Sequence, residues 1–223
     1  MKFKSFLLTA VFFTCHTFFA QQVGIRELNR VTDNLLREKQ NQTKNAEGSQ
    51  YVNEGFFMVN TPDFDRPFLA RYNAFTDKIE VKDEGVLKPN KEITISSEDS
   101  KNNYVYVDYV DKENATQTGY LNLIKKNTKF NLLKRERIIL EPASQPSNSY
   151  EQYRPARFKK MEPEYYYRIG EAAAQLLPKK KKDLEKLVPG KEKELNDFIK
   201  NNKISLSKEE DLIKLVVFLD SIL

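Results

Sequence analysis

The sequence has no tryptophan, one histidine and one cysteine. The histidine and the cysteine, His16 and Cys15, are neighbours within a segment that resembles a removable export signal. We therefore expect the mature protein to contain neither side chain. Such a chain has no imidazole base, no thiol nucleophile and no disulfide, and it cannot hold a metal through His or Cys. We predict no metal site, no cofactor and no catalytic residue of these classes.

Residues 1–20 have the layout of a secretory signal. Lys2 and Lys4 precede the apolar run 6–13, and a second short apolar stretch ends at Ala20, where we predict cleavage. The apolar run is shorter than the roughly 20 residues that a membrane-spanning helix needs. An uncleaved membrane anchor and a lipid attached to Cys15 are the alternatives. No later segment is long and apolar enough to span a membrane, so we expect an exported protein in the periplasm or at the cell surface.

The charge is mildly basic and mixed in sign. The formal net charge is +5, and removal of Lys2 and Lys4 with the signal lowers it to +3. This balance is typical of a solvated surface and gives only weak attraction to anionic polymers. We expect no nucleic-acid partner, and the partners that the composition favours are envelope proteins or anionic glycans.

The apolar periodicity changes along the mature chain. Residues 21–48 begin with a helical pattern and continue as a polar linker. In residues 49–177, short β-branched and aromatic runs alternate with turn residues at a spacing of roughly ten residues. This pattern predicts an antiparallel β-meander, arranged as a sandwich or a partly closed barrel. The breaks at 111–116 and 125–128 predict hairpin loops. The segment Glu171–Leu177 fits either a returning strand or a helix.

Residues 178–223 predict a C-terminal tail of two to three helices. The dipeptide Pro189-Gly190 separates the first apolar group from the next. Ser207 and Glu210 have the spacing of a capping box at the start of the last helix. That helix has a broad apolar face, which we expect to be buried. The overall fold class is therefore α+β, with an N-terminal helix, a β domain and a C-terminal helical subdomain.

Without His and Cys, catalysis would depend on carboxylates. Asp63 and Asp65 form one close pair in the sequence, and Glu162 and Glu164 form another. Two carboxylates in different environments can serve as acid and base or nucleophile. Such pairs are expected by chance in a chain with 32 acidic residues, and solvation of a loop or an ion pair with a neighbour such as Arg66 is the favoured explanation. The lysine run 179–182 could contact anionic groups, but it also fits a solvated linker.

Tyrosine and arginine are concentrated beside the Pro-rich segment 141–157, which we predict to be a long loop. These two residue types are enriched at protein interfaces, and tyrosine also stacks on sugars. The predicted contact group consists of Tyr153, Arg154, Arg157, Tyr166 and Arg168.

Several stretches of the mature chain resemble small exported proteins of Gram-negative bacteria. They are 48–54, 69–81 with its Arg-Tyr-Asn and Asp-Lys-Ile-Glu elements, and the C-terminal stretch from Phe198 to Val216. The resemblance implies export and a shared architecture, and it supplies no activity and no site residues. We interpret the two short elements as turn and strand devices.

These observations predict an exported, non-enzymatic binding or protein-interaction module of the cell envelope. One alternative is a carboxylate-dependent glycan hydrolase, which would need two carboxyl groups facing each other across a deep cleft. The other is a carrier of small apolar ligands, which would need a cavity lined by Phe and Leu.

Overall fold

The computed structural model describes residues 43–223, except for 61, 62, 100, 147 and 149. The predicted export signal and most of the predicted N-terminal helix and linker lie outside these residues. The chain divides into two compact units. The larger unit comprises Gly48–Glu141 and Phe158–Leu223, and the described part of the smaller unit comprises 43–47 and Pro142–Arg157.

The smaller unit contains the predicted Pro-rich loop, which is held by short backbone pairings. The Glu47 N–H donates to the carbonyl of Ala156 at 2.8 Å. Ser144 and Arg154 exchange two backbone hydrogen bonds of 2.9 and 3.0 Å, which makes a small antiparallel bridge inside the loop. The loop therefore has local order without a regular strand of its own.

The described strands and helices follow one another in an all-β segment and then an all-α segment. The strands are β1 (Phe57–Val59), β2 (Phe68–Asn73), β3 (Lys78–Val81), β4 (Gly85–Val86), β5 (Thr94–Ser96), β6 (Asn103–Val110), β7 (Thr116–Lys125), β8 (Phe130–Arg135), β9 (Ile138–Glu141), β10 (Arg157–Lys160), β11 (Glu164–Ile169) and β12 (Gln175–Leu176). The helices are α1 (Lys181–Glu185), α2 (Glu192–Asn201) and α3 (Glu209–Ile222).

The strands form three sheets, which confirms the predicted α+β fold with an antiparallel meander. The orders are β1-β2-β3-β4, β10-β9 and β12-β11-β8-β7-β6-β5. Both predicted hairpin loops join neighbouring strands of the six-stranded sheet, β6 to β7 and β7 to β8. That sheet curls, because Ala174, just before β12, makes a parallel bridge to Tyr109 of β6.

The segment Glu171–Leu177 contains the returning strand β12 and no helix. Tyr166 pairs with Leu176, and Tyr167 pairs with Gln175, in an antiparallel hairpin. Ala174 also exchanges backbone hydrogen bonds of 2.8 and 2.9 Å with β6. These long-range backbone pairings outweigh the local helix propensity of the segment.

Three apolar clusters hold the larger unit together. One lies inside the curled sheet and includes Val107, Leu121 and Leu133. A second joins the four-stranded sheet to β6 and β7 through residues such as Ile79 and Tyr104. The third covers the other end of the curled sheet with the C-terminal helices, and its members are Phe130, Leu132, Leu177, Leu184, Val188, Leu195, Ile204, Leu212, Leu215, Val216 and Leu219.

The C-terminal tail has three helices, and the predicted apolar face of α3 is buried. The predicted capping box is wrong, because the N-cap is Lys208, in an extended conformation, and no side chain caps the helix there. The Asp211 carboxylate instead accepts the Ser205 N–H at 3.1 Å, which connects the first turn to the preceding loop. Among the described residues, no helix combines the length and the apolar composition that crossing a membrane requires.

Candidate functional site

A half-open apolar pocket of about 470 Å³ lies beside β5 in the larger unit. The first β-hairpins and the curled sheet both contribute to it. Its lining residues are Phe64, Leu87, Lys88, Pro89, Asn90, Ile93, Ile95 and Tyr120. Five of them come from the connection between β4 and β5, so a single loop supplies most of the wall.

Two hydrogen bonds, one between backbone groups and one to a side chain, restrict the conformation of this loop. The Leu87 N–H donates to the carbonyl of Ile79 at 2.9 Å, which keeps the first residue of the loop against β3. The Asn90 Oδ1 accepts the Glu92 N–H at 2.9 Å and turns the chain back towards β5. Pro89 lies between them, has no N–H to satisfy and restricts its own φ. These contacts restrict the conformation of the loop that carries Leu87 and Ile93 on the pocket lining.

Phe64 belongs to a different connection, between β1 and β2. Its ring packs edge-to-face on Phe68 of β2, with 4.8 Å between ring centroids. A second pocket of about 220 Å³ shares Phe64 and Leu87 with the first. The second pocket is more polar, because the ion pair between Arg66 and Glu84 lies on its lining.

Tyr120 of β7 contributes the most buried aromatic side chain of the lining. The residue is 3% exposed, and its ring packs against the ring of Tyr106 at 4.9 Å. Burial, together with the neighbouring Tyr106 and Asp77, raises the pKa of the Tyr120 hydroxyl to about 12. The hydroxyl therefore stays protonated at neutral pH.

Lys88 gives the pocket a positive charge. The side chain is exposed, and within the described ranges it forms no ion pair. Lys91 in the same loop differs, because its Nζ lies 2.6 Å from the Asp108 carboxylate. The lining thus combines apolar walls with one cation that is available to a ligand.

The turn between β2 and β3 is hydrogen-bonded to the backbone of Tyr120. Asp77, in a left-handed conformation with φ 54°, accepts the Tyr72 hydroxyl at 2.8 Å and the Tyr120 N–H at 3.2 Å. Burial raises the pKa of the Asp77 carboxyl, and the hydrogen bonds from Tyr72 and Tyr120 oppose that change. Asn73 closes the turn by accepting the N–H groups of Phe75 and Thr76. The Arg-Tyr-Asn element thus acts as a turn device, as predicted.

Arg71 of β2 and Glu80 of β3 form an ion pair of 2.9 Å across the hairpin. The guanidinium also lies over the rings of Tyr51 and Phe56, at 3.7 and 4.4 Å from their centroids. Glu80 accepts further hydrogen bonds from Tyr51 and Asn73. These contacts are internal, which confirms that the Asp-Lys-Ile-Glu element is a strand device.

The predicted carboxylate pair Glu162 and Glu164 is split between two environments. Glu162 is exposed, whereas Glu164 is 5% exposed and lies 2.7 Å from Lys112, 2.9 Å from Arg137 and 3.4 Å from Arg135. Burial alone would raise the pKa of Glu164, but the hydrogen bond from Lys112 and the three positive charges lower it. Glu164 is an ionised structural anchor and is poorly suited to donate a proton.

Asp63 and Asp65 are both exposed, on either side of Phe64. Asp65 lies on the lining of the second pocket. In the described ranges, no group of three or more His, Cys, Asp and Glu side chains could hold a metal ion.

Three members of the predicted contact group lie at 153–157, in the smaller unit. Tyr153 is 54% exposed, and Arg154 is exposed while its backbone pairs with Ser144. Arg157 is exposed at the start of β10. None of the three lines the apolar pocket.

The other two members of that group, Tyr166 and Arg168, lie on β11 and have internal roles. The side chain of Tyr166 is completely buried in the cluster inside the curled sheet, and its hydroxyl donates to Glu164 at 3.3 Å. Its assignment as a contact residue is therefore wrong. Arg168 donates to the carbonyl of Ala172 at 3.1 Å and pairs with Glu171, so it braces the turn between β11 and β12.

Sequence reasoning did not identify the pocket residues. The string from Leu87 to Ile93 contains Pro89 and Asn90, which indicate a loop but not a pocket. The aromatic character of Tyr120 predicted a strand and gave no sign that the residue lines a pocket. The only signal in the sequence was the expectation that an apolar-ligand carrier would have a cavity lined by Phe and Leu.

Comparisons of the chain with protein-family models, with curated proteins and with solved structures found no match. The resemblance to small exported proteins of Gram-negative bacteria therefore stays a prediction.

Proposed function

We propose that this protein is an exported, non-enzymatic binding protein and that the apolar pocket is its binding site. The observation that carries the proposal is the half-open pocket of about 470 Å³ lined by Phe64, Leu87, Ile93, Ile95 and Tyr120. Small-molecule sites typically have volumes of roughly 300–1,000 Å³, apolar walls and a few polar groups. The pocket fits this description.

The proposed site differs from the contact group that the sequence predicted. A binding module remains the favoured class, but the pocket replaces the group of Tyr and Arg residues as its site. The binding of an apolar group also brings the proposal close to the carrier alternative. Export is supported by the layout of residues 1–20, in which a basic start precedes an apolar run and a small residue.

The hydrolase alternative receives less support. Glycoside hydrolysis requires an acid with a raised pKa beside a second carboxylate at a fixed separation. Glu164 has a lowered pKa and three cationic partners, and Glu162 is exposed. Neither residue lines either pocket.

The test measures binding of a neutral apolar probe, N-phenyl-1-naphthylamine, whose fluorescence rises in apolar surroundings. We expect saturable binding to the parent protein. Leu87→Trp places a bulky ring in the pocket and should reduce the affinity at least tenfold. Val86→Trp is the matched control, because Val86 is exposed, precedes Leu87 and does not line the pocket.

Both variants should unfold at the temperature of the parent within a few degrees, as measured by circular dichroism. Ile93→Trp provides a second variant of the lining and should also reduce binding. Saturable binding that is equal in the parent, Leu87→Trp and Ile93→Trp would place the probe elsewhere and overturn the proposal. Failure of the folded parent to bind the probe would also overturn it.

A further inference from the structure

We infer that the ligand of the apolar pocket is an amphipathic carboxylate, with its apolar body in the pocket and its acidic group at Lys88. This inference rests on the proposed function, and it adds the chemical class of the ligand. The pocket residues carry it through two features: the charge on the lining and the half-open shape.

The polar groups contributed by the loop between β4 and β5 favour an anion. Lys88 brings a positive charge that has no ion-pair partner in the described part of the chain. The Asn90 Oδ1 is already used by the Glu92 N–H, so the free polar group of that side chain is its donor NH2. A lysine attracts carboxylate as a flexible point charge, and an adjacent amide donor can add a hydrogen bond.

Nearby acidic groups are occupied elsewhere. The carboxylate of Asp108 accepts from Lys91 and Thr118, and Glu84 pairs with Arg66. Glu92 belongs to the same loop but is not part of the pocket lining. Lys88 is thus the only charged residue among those that line the larger pocket.

The half-open shape determines where the charge of the ligand can lie. A carboxylate is expensive to bury without compensation, so it is expected at the open side beside the exposed Lys88. The apolar body then takes the place of water against Leu87, Ile93 and Ile95. This division between an apolar body and an anionic head defines an amphipathic acid.

The experiment compares decanoate with 1-decanol as competitors of the neutral fluorescent probe, with decanoate below its micellar concentration. The two compounds share an apolar chain and differ in charge. Decanol is the more hydrophobic, so the quantity measured is how each affinity changes in Lys88→Gln. Decanoate affinity should fall roughly three- to fivefold, as expected for a partly exposed ion pair, and decanol affinity should be unchanged. Added salt should weaken decanoate binding to the parent and leave decanol binding unaffected.

Lys82→Gln is the matched control, because Lys82 is exposed, lies on the β3–β4 turn and does not line the pocket. It should leave both affinities at the parental value. If Lys88→Gln changes neither affinity, or changes both equally, the inference of an anionic ligand is overturned while the apolar pocket stands. If neither competitor displaces a probe that binds the pocket, the inference also fails. Absence of probe binding instead marks failure of the proposed function.

Discussion

Glu164 is a buried side chain that keeps its negative charge. The side chain lies at the start of β11 and faces Arg135 from the neighbouring strand, Arg137 and Lys112. The Tyr166 hydroxyl donates to Glu164 at 3.3 Å, and the Tyr166 ring packs edge-to-face on Tyr109. The guanidinium of Arg135 lies 4.6 Å from the centroid of the Tyr109 ring. A buried carboxylate is tolerated when its charge is paired and its oxygens accept hydrogen bonds.

Replacing Glu164 with Gln should destabilise the protein by about 2–3 kcal/mol at neutral pH. The variant leaves three cations around a neutral amide. Because the pKa of Glu164 in the folded state lies below its usual 4.5, its contribution to stability is present above that pH and is lost as the pH falls through the folded pKa. The difference in unfolding free energy, measured by urea titration, should therefore shrink below about pH 4.5.

Glu162→Gln provides the control for this change. It removes the same charge from an exposed position two residues earlier, so stability should stay within about 0.5 kcal/mol of the parent. A penalty at Glu164 that is equally large at pH 3 and pH 7 would contradict the charge-pairing argument.

The sequence shows two acidic residues around Pro163 but does not show which one is buried. That distinction depends on Arg135 and Arg137, which are remote in sequence and reach Glu164 only because β8 and β11 pair. Tyr166 illustrates the same limit. Alternation correctly places it on the opposite face from Tyr165 and Tyr167, but both faces of β11 are covered, so neither is available for contact.

At the scale of elements, the β2–β3 turn approaches β7 so closely at Gly119 that an added Cβ would force the Asp77 side chain to move. A Cβ at Gly119 would overlap the Oδ2 of Asp77 and come close to the Tyr109 ring. The same Asp77 carboxylate accepts the N–H of Tyr120, the next residue of β7. The close approach therefore lets the turn fasten the strand that contributes Tyr120 to the pocket.

Gly119→Ala should cost about 1–3 kcal/mol, because the methyl group displaces the Asp77 carboxylate. It should also weaken probe binding, since the hydrogen bond that positions Tyr120 would be disturbed. Thermal unfolding and probe titration measure the two effects. Gly55→Ala is the matched control: no atom lies within 4 Å of its added Cβ, and its stability should match or slightly exceed that of the parent. Equal stability of the two alanine variants would rule out the close approach.

The elements themselves were largely predictable where the pattern is local. Alternating apolar residues identify β6, and the polar breaks on either side of β7 identify its hairpin loops. The start of α3 was not predictable, because Ser207 and Glu210 have capping spacing while Lys208 becomes the N-cap. Strand β12 depends on Ala174, whose partners in β6 are more than 60 residues away.

At the scale of the molecule, the C-terminal helices and the curled sheet share one apolar cluster. Phe130 and Leu132 of β8 pack with Leu212, Leu215 and Leu219 of α3. The Asp220 carboxylate also accepts the N–H groups of Lys129 and Phe130 at 2.6 and 2.7 Å. The helices therefore complete the core of the sheet.

Urea should unfold the helices and the sheet together. The helical circular dichroism signal and the tyrosine fluorescence, which reports on the sheet, should have the same midpoint. Leu215→Ala should lower both midpoints equally, at a cost of about 3 kcal/mol, since its side chain is fully buried. Val217→Ala changes an exposed residue of the same helix and should move neither. Loss of the helical signal at a lower urea concentration would indicate a separate helical domain.

The candidate site could not be predicted from the sequence because it exists only in the assembled molecule. Its residues come from the β1–β2 connection, the β4–β5 loop, β5 and β7, which span Phe64 to Tyr120. In the sequence, each of these residues has a satisfactory explanation as core or loop. The pocket forms only where the fold brings these residues together.

The β4–β5 loop has an evolutionary consequence. Lys88, Pro89 and Asn90 line the pocket from outside every strand and belong to none of the three apolar clusters. Changes here alter the pocket lining without touching the three clusters, whereas changes at Ile95 or Tyr120 alter the lining and a cluster together. Descendants of this chain can therefore acquire a different pocket lining through three consecutive residues while the apolar clusters are inherited unchanged.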